Sequence, residues 1–328
     1  MRRLAAPLAA FAVLAVVVYT LPSFVSDFRA QQLAYVAIYL IAIIGLNVLT
    51  GYTGQISLGH GAFMAVGGYT TAILMVDHGV KDVWTIPFAA LVAGVVGFVV
   101  GIPALRLSGL YLALATFAIA VAMPAVIKRF EDFTGGGGGL NLFGLPELTA
   151  SLTPVTVLGR EMEFNDWLYH LCWTLALLMY VLAWLLLRGR TGRAFRAVRD
   201  SETAAQSSGV SLARYKTLAF AVSAAYAGVA GSLFAIATTF VNPDMFLITL
   251  SIFLLVGVVV GGLGSLTGAV AGAVFVQFLP IWAQDVSKSP GAPAVVYGVV
   301  LIATMFLLPV GVAGLVARAR ALLGRRAP

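Results

Sequence analysis

Apolar runs of about twenty residues follow one another along almost the whole chain, and about twenty residues is what an α-helix needs to cross a hydrocarbon core of about 30 Å. They fall at 4–22, 31–50, 55–76, 83–105, 108–127, 167–187, 217–240, 246–263, 265–281 and 295–316. No Asp or Glu lies deep in any of them. A soluble fold has nowhere to put so much oil. Of 328 residues, 61% are hydrophobic and 10% charged, with a mean hydropathy of +1.00, whereas soluble domains run near 45–50% and about 25%. The expected fold is therefore all-α: a polytopic membrane protein of about ten transmembrane helices, forming a single domain over residues 1–328. Met1-Arg2-Arg3 and the apolar stretch behind it read as a retained first helix rather than a secretory leader. The apolar part is long, and Thr20-Leu21-Pro22-Ser23 offers no small-x-small cleavage site.

Two joints between runs are too short for an ordinary loop. One is Gly51-Tyr52-Thr53-Gly54 and the other Gly261-Gly262-Leu263-Gly264-Ser265. Each is either a tight turn or a break within a discontinuous helix, which membranes tolerate where protein or a cavity surrounds it. The 35 glycines suit close helix packing. They are spaced along faces as Gly94/Gly97/Gly101, Gly257/Gly261 and Gly264/Gly268/Gly272.

Basic residues orient the spans, because cytoplasmic loops collect Lys and Arg. With both termini inside, fourteen of the 20 basic residues fall on the cytoplasmic side and six outside. Of the 13 acids only Asp200 and Glu202 fall inside. Residues 128–166 become an extracytoplasmic loop, and residues 188–216 a cytoplasmic loop holding half of the inner basic residues. In that inner loop Arg193, Arg196 and Arg199 recur every third residue and share a helix face. Asp200 or Ser201 then resembles an N-cap, Glu202–Ser208 gives two turns, and Gly209 suits the residue just past a helix end. Such a loop is either a docking element or a solvated segment whose arginines set topology.

The sequence excludes several chemistries. Cys172 is the only cysteine and lies in an apolar run, so no disulfide or cysteine metal site is available. No Gly-Lys pair occurs, so no phosphate loop exists. No nucleophile–base pair or metal cluster stands out, which argues against a membrane enzyme. The lack of a deep acid argues against a proton-coupled carrier. His60 sits beside Ser57, Gly59 and Gly61, early in a span. An ionisable group there either serves function or hydrogen-bonds a neighbouring helix.

The stretch from Leu46 to Phe63, with Asn47, Gly51-Tyr52-Thr53-Gly54-Gln55 and Ser57-Leu58-Gly59-His60-Gly61, resembles the opening of LivM-type permeases of branched-chain amino acid ABC importers. Further matches follow in order: Arg106–Ala113, Thr134-Gly135-Gly136, Gly192–Asp200, Ala204-Ala205-x-x-x-Gly209 and Gly261–Ser265. The resemblance covers about 31–316. It implies a type II-like importer permease in the bacterial inner membrane that works by alternating access. The implied partners are a LivH-type permease, two cytosolic ATPase subunits that bind the ATP, an extracytoplasmic binding protein and the bilayer. No nucleic acid, metal, catalytic residue or cofactor of its own is expected. By the same resemblance, Arg193, Arg196, Arg199, Asp200, Glu202, Ala204, Ala205 and Gly209 couple the subunit to the ATPase, and Asn47, Gln55, Ser57 and His60 are candidates for the translocation path. Two positions depart from the family pattern: Thr203 stands where Glu is common, and Met123-Pro124 replaces an acidic residue. A sugar-type ABC permease and an ion-coupled carrier are the alternatives.

Overall fold

The computed structural model describes residues 19–20, 26–148, 155–157, 160–286, 292–307 and 311–315. The expected first span, 4–22, lies almost wholly outside them. The elements are α1 (Asp27–Leu46), continued by a π-helical segment Asn47–Tyr52, then α2 (His60–Val76), α3 (Asp82–Ala104) and α4 (Leu110–Arg129). A single turn, α5 (Glu131–Thr134), precedes the strands β1 (Leu140–Asn141), β2 (Val155–Val157) and β3 (Arg160–Met162). Next come α6 (Phe164–Arg188), α7 (Arg190–Asp200), α8 (Glu202–Ser207), α9 (Leu212–Thr238), β4 (Phe240–Val241) and a 3₁₀ turn at Pro243–Phe246. The described chain closes with α10 (Ile248–Gly261), α11 (Leu266–Val286) and α12 (Ala292–Leu307).

Seven helices among the described residues are long and apolar enough to cross a membrane, and His60–Val76 is a shorter apolar helix. The protein is thus a mostly helical, multi-span membrane protein. The expectation of a helical protein holds, and two small antiparallel ribbons occur beside the helices among the described residues. Leu140 pairs with Val241, and Val155–Val157 pair with Arg160–Met162. Both sit in connections, where backbone groups freed from helices need partners.

Two helices form the centre. Every residue of α1 and its π extension from Leu40 to Gly51 is buried, as expected of a helix apolar on all sides. Helix α9 packs along α3, α2 and α1, and small residues let it come close. A side chain at Gly231 would collide with the Met64 backbone of α2, and one at Gly97 of α3 with Ala224 of α9. In the α10/α11 pair, Gly257 faces Gly272 and Gly261 faces Gly268, backbone on backbone. The regular glycine spacing therefore marks helix contacts, as the sequence suggested. By contrast α3, α4 and α6 keep broad exposed apolar faces, including Leu91, Val95, Leu114, Phe117, Leu178 and Leu185.

The helix ends sort into two faces. On one, Asp82 N–H donates to Glu147 O, Lys128 pairs with Asp244 at 3.0 Å, and β1 joins β4. On the other lie α7, α8, the Gly51 joint and the α10–α11 turn. Arg188, Arg190, Arg193, Arg196, Arg199, Arg214 and Lys216 gather on this second, basic face.

Candidate functional site

The two short joints have different structures, and both open onto the basic face. At the first, α1 does not turn. It widens into a π-helix, because Thr53 Oγ1 donates to Leu49 O at 2.5 Å and Gln55 N–H reaches the same carbonyl at 3.2 Å. The chain then runs unwound through 54–59, and α2 begins only at His60, not at residue 55. The joint is therefore a break in a discontinuous helical path, and span three is shorter than the sequence suggested. At the second joint, Gly262 and Gly264 have φ of +111° and +77°. That geometry suits glycine and folds α10 back onto α11 in a tight turn. Ser265 Oγ accepts the Gly268 N–H at 3.1 Å at the start of α11.

The unwound segment climbs into the helix bundle. Leu58 N–H donates to Thr116 Oγ1 at 2.9 Å, and Gly61 N–H to Ser251 Oγ at 2.8 Å. Thr116 lies six residues past the basic-face end of α4, about 9 Å along its axis. So α2 starts well below the basic face, with irregular backbone at membrane depth. Burial alternates along the segment: Gln55, Ser57 and Gly59 point inward, while Gly54 and Ile56 are exposed and Leu58 half-buried. Among the described residues nothing hydrogen-bonds the N–H of Ile56 or Ser57. Bare amides facing hydrocarbon are costly. This edge must meet water, a ligand or another protein.

The residues singled out in the sequence separate into two groups here. Asn47 is 1% exposed, and its amide is fully committed: Nδ2 donates to Ser265 O at 2.9 Å and Oδ1 accepts the Gly264 N–H at 2.8 Å. Gln55 donates through Nε2 to Thr53 Oγ1 at 2.9 Å, and its Oε1 is buried without a partner. Ser57 Oγ accepts the Gly59 N–H at 3.3 Å. His60 is 1% exposed, and its Nε2 has no hydrogen-bond partner among the described residues. Gln55, Ser57 and His60 thus share one broken segment, whereas Asn47 clasps the neighbouring turn.

The inner loop is two helices. In α7, Gly192, Ala194, Phe195 and Val198 are buried, and Arg193, Arg196 and Arg199 share the exposed side. Phe195 meets Tyr215 of α9 edge-on, with ring centroids 6.3 Å apart. The N-cap of α8 is Ser201, whose Oγ accepts the Ala204 N–H at 3.2 Å; Asp200 closes α7 instead. Gly209, at φ +81°, ends α8 as expected. Its N–H donates to Gln206 O and the Val210 N–H to Ala205 O, both at 3.0 Å, the paired bonds of a Schellman stop. Glu202 pairs with the buried Lys216 Nζ at 2.7 Å. Arg199 is exposed, yet its Nη1 donates to Gly51 O at 2.6 Å.

Sequence reasoning missed four members of this arrangement. Thr116 and Ser251 are single hydroxyls in apolar runs. Lys216 was visible only as a charge that sets topology. Gly51 was visible only as part of a short joint.

Comparison with known proteins decides the family. The profile described as "Branched-chain amino acid transport system / permease component" matches residues 28–308. The chain belongs to this family. It is 37% identical over 278 residues to the high-affinity branched-chain amino acid transport system permease protein LivM of Salmonella typhimurium, covering 80% of this chain and 65% of the relative. It is 38% identical over 253 residues to LivM of Escherichia coli, covering 72% and 59%. The chain thus spans somewhat less than two thirds of the length of these LivM relatives. A probable LivH permease of Methanocaldococcus jannaschii is 25% identical over 293 residues, covering 85% and 90%. No solved structure matches.

Proposed function

We propose that the chain is the membrane-embedded permease subunit of an ATP-driven importer for branched-chain or related amino acids. The observation that carries this is the family match across residues 28–308, joined to an unwound, glycine-rich segment at membrane depth. On this reading the basic face is cytoplasmic, with both termini on that side, 188–216 is the coupling loop, and 128–166 is extracytoplasmic. The partners are a LivH-type permease, two cytosolic ATPase subunits that bind and split ATP, and an extracytoplasmic binding protein. This chain does no hydrolysis itself. An ion-coupled carrier or a sugar permease has no comparable support.

The chemistry of the broken segment fits such a cargo. An amino acid with an aliphatic side chain needs apolar surface for one end and hydrogen-bonding groups for its charged backbone. Ile56 and Leu58 supply the first, and the exposed N–H of Ile56, unbonded among the described residues, the second. Alternating access follows if ATP-driven closure of the ATPases moves the coupling loop and re-angles the helices around this segment.

Two measurements check the reading. Purified alone in liposomes, the subunit should neither hydrolyse ATP nor take up leucine, isoleucine or valine down a proton gradient. Reconstituted with its ATPases, second permease and binding protein, it should take them up when ATP is supplied. Robust gradient-driven uptake by the isolated subunit would overturn the assignment. The path is checked by cysteine labelling in a background lacking Cys172. A cysteine at Ile56 should react with a membrane-impermeant reagent, because that edge meets water. One at Val95, more exposed than Ile56 but on the mid-span apolar face of α3, should stay unlabelled in lipid. Equal reactivity at the two positions would remove Ile56 from the path.

A further inference from the structure

Four features converge where the basic-face loop meets the two joints. Arg199 Nη1 donates to the carbonyl of Gly51, in the last turn of the π-helix. The same guanidinium nitrogen lies against Gly264, where an added Cβ would stand 2.8 Å from it. The Arg199 stem covers Gly54, at 3.4 Å from the corresponding Cβ position. Asn47, one turn back on the π-helix, ties the other side of the knot through Gly264 and Ser265. Gly51 has no room for a side chain, since a Cβ would run into Asn47 Oδ1 and the Gly264 amide. The last residue but one of α7, the end of α1 and the α10–α11 turn are thus held at one point by charge-assisted and amide hydrogen bonds.

We propose that Arg199 is a positioning residue that passes movement of the α7–α8 loop directly to the unwound segment 54–59, with Asn47 locking the α10–α11 turn into the same joint. This rests on the reading of 188–216 as the coupling loop and deepens it. The physical grounds are three. First, a π-helix end presents carbonyls without intrahelical partners, and a guanidinium is the donor best matched to them. Second, Arg193, Arg196 and Arg199 are all exposed on α7, but their inward bonds differ: Arg196 Nη1 donates at 3.4 Å to Leu187 O at the end of α6, whereas Arg199 Nη1 reaches Gly51 O at the end of the π-helix. Third, what lies just past Gly51 is not another rigid helix. It is the unwound stretch 54–59, bonded near its far end by Thr116 and Ser251 through single hydroxyl contacts. A displacement of Arg199 therefore reaches the base of α2 through backbone, with no intervening side-chain packing. Both joints move together, because Gly264 is bonded to the residue four before Gly51.

The test uses the full importer in lipid nanodiscs, in a background lacking Cys172 and carrying Ile56→Cys as a reporter. Labelling of the reporter is compared without nucleotide and after vanadate trapping with ATP. In the otherwise unchanged complex the labelling rate should differ at least several-fold between the two states. Arg199→Gln should keep the ATPase bound, since Arg193 and Arg196 remain, yet abolish that difference and lower ATP-driven uptake by roughly tenfold or more. A purely structural cap would instead lower the unfolding temperature while leaving the nucleotide-dependent difference intact, and that result overturns the proposal. If Arg199→Gln fails to assemble, Asn47→Asp serves as the second variant. It keeps the acceptor for Gly264 N–H, loses the donor to Ser265 O, and should reduce the difference without removing it; an unchanged difference there counts against the joint. An Ile56→Cys reporter complex with Arg199 intact that takes up substrate without any nucleotide-dependent change in labelling also overturns the proposal. Absence of ATPase association in the unmodified complex overturns the coupling-loop reading itself.

Discussion

Replacing Gly231 with leucine should prevent the permease from being recovered as a folded membrane protein. Gly231 lies in α9 where it crosses α2, and an added Cβ would fall 2.7 Å from the Met64 carbonyl carbon and 2.9 Å from its Cα, with the carbonyl oxygen closer still. These are backbone atoms in the middle of a helix, so no rotamer change relieves the clash. The neighbouring positions are equally tight: a Cβ at Gly228 would stand 2.6 Å from Ala93 Cβ, and one at Gly67 of α2 would run into the Gly228 backbone. Helices α2 and α9 would have to separate, and the α3 packing on α9 would go with them. Overpacking of a core typically costs about 1–3 kcal/mol, and a leucine forced against backbone belongs at or above the upper end. In a bilayer no compensating hydrophobic force pulls displaced helices back together. Gly94→Ala is the matched control, because its nearest neighbours are Ala225 Cβ at 3.4 Å and Ala221 O at 3.6 Å. Detergent extraction followed by size-exclusion chromatography and a thermal aggregation curve reads both. Gly231→Leu should lose the monodisperse peak, and Gly94→Ala should keep it. A Gly231→Leu protein as stable as the parent would mean that α2 and α9 do not meet backbone to backbone.

That contact was foreseeable in kind but not in place. Membrane sequences advertise their helices through length and apolarity, so the spans at 83–105, 108–127 and 167–187 reappear in α3, α4 and α6 to within a few residues. The glycine spacings signalled close approach, but spacing along one helix does not name its partner. Only three-dimensional structure pairs Gly257 with Gly272 and Gly261 with Gly268. The two short joints were recognisable because four or five residues cannot cap two spans and turn. Their opposite outcomes were not. Gly262 and Gly264 adopt positive φ and make a turn, whereas Thr53 bonds back to Leu49 O, Thr50 bonds forward to Gln55 O, and the π-helix unwinds. Both sequences carry glycine and a hydroxyl. What separates them is tertiary: Asn47 and Arg199 hold one joint against the other, and neither bond can be read from local propensity. The inner loop was more legible, because caps are local chemistry. Ser201 and Gly209 bound α8 as a sequence reader would place them, while the Lys216–Glu202 pair required knowing how α8 folds back on α9.

Substitutions at Gly209 should uncouple the α7–α8 loop in an order set by backbone preference alone. The residue sits at φ +81° with no atom within 4 Å of the position a Cβ would take. A side chain there meets no obstacle, so any cost arises from the left-handed conformation itself. Asparagine visits that region readily, alanine is disfavoured by about 1–2 kcal/mol, and a β-branched valine is worse. Helix α8 is six residues long and cannot absorb such a loss by its own hydrogen bonding. Its two terminal bonds, Gly209 N–H to Gln206 O and Val210 N–H to Ala205 O, depend on this one conformation. Once they break, the Ser201 cap and the Glu202–Lys216 pair remain as attachments at the other end only. The membrane body should be untouched, because Gly209 is exposed and far from the α2–α9 contact. Uptake corrected for membrane level, together with co-purification of the ATPase, should therefore fall in the order Gly, Asn, Ala, Val, with Asn near the parent and Val losing most of both. Thermal stability of the extracted permease should stay flat across the series, the reverse of the Gly231 result. If Val transports like Gly, the geometry of α8 plays no part in coupling. If Asn fails as badly as Val, the glycine matters for a contact with the docked subunit and not for its backbone.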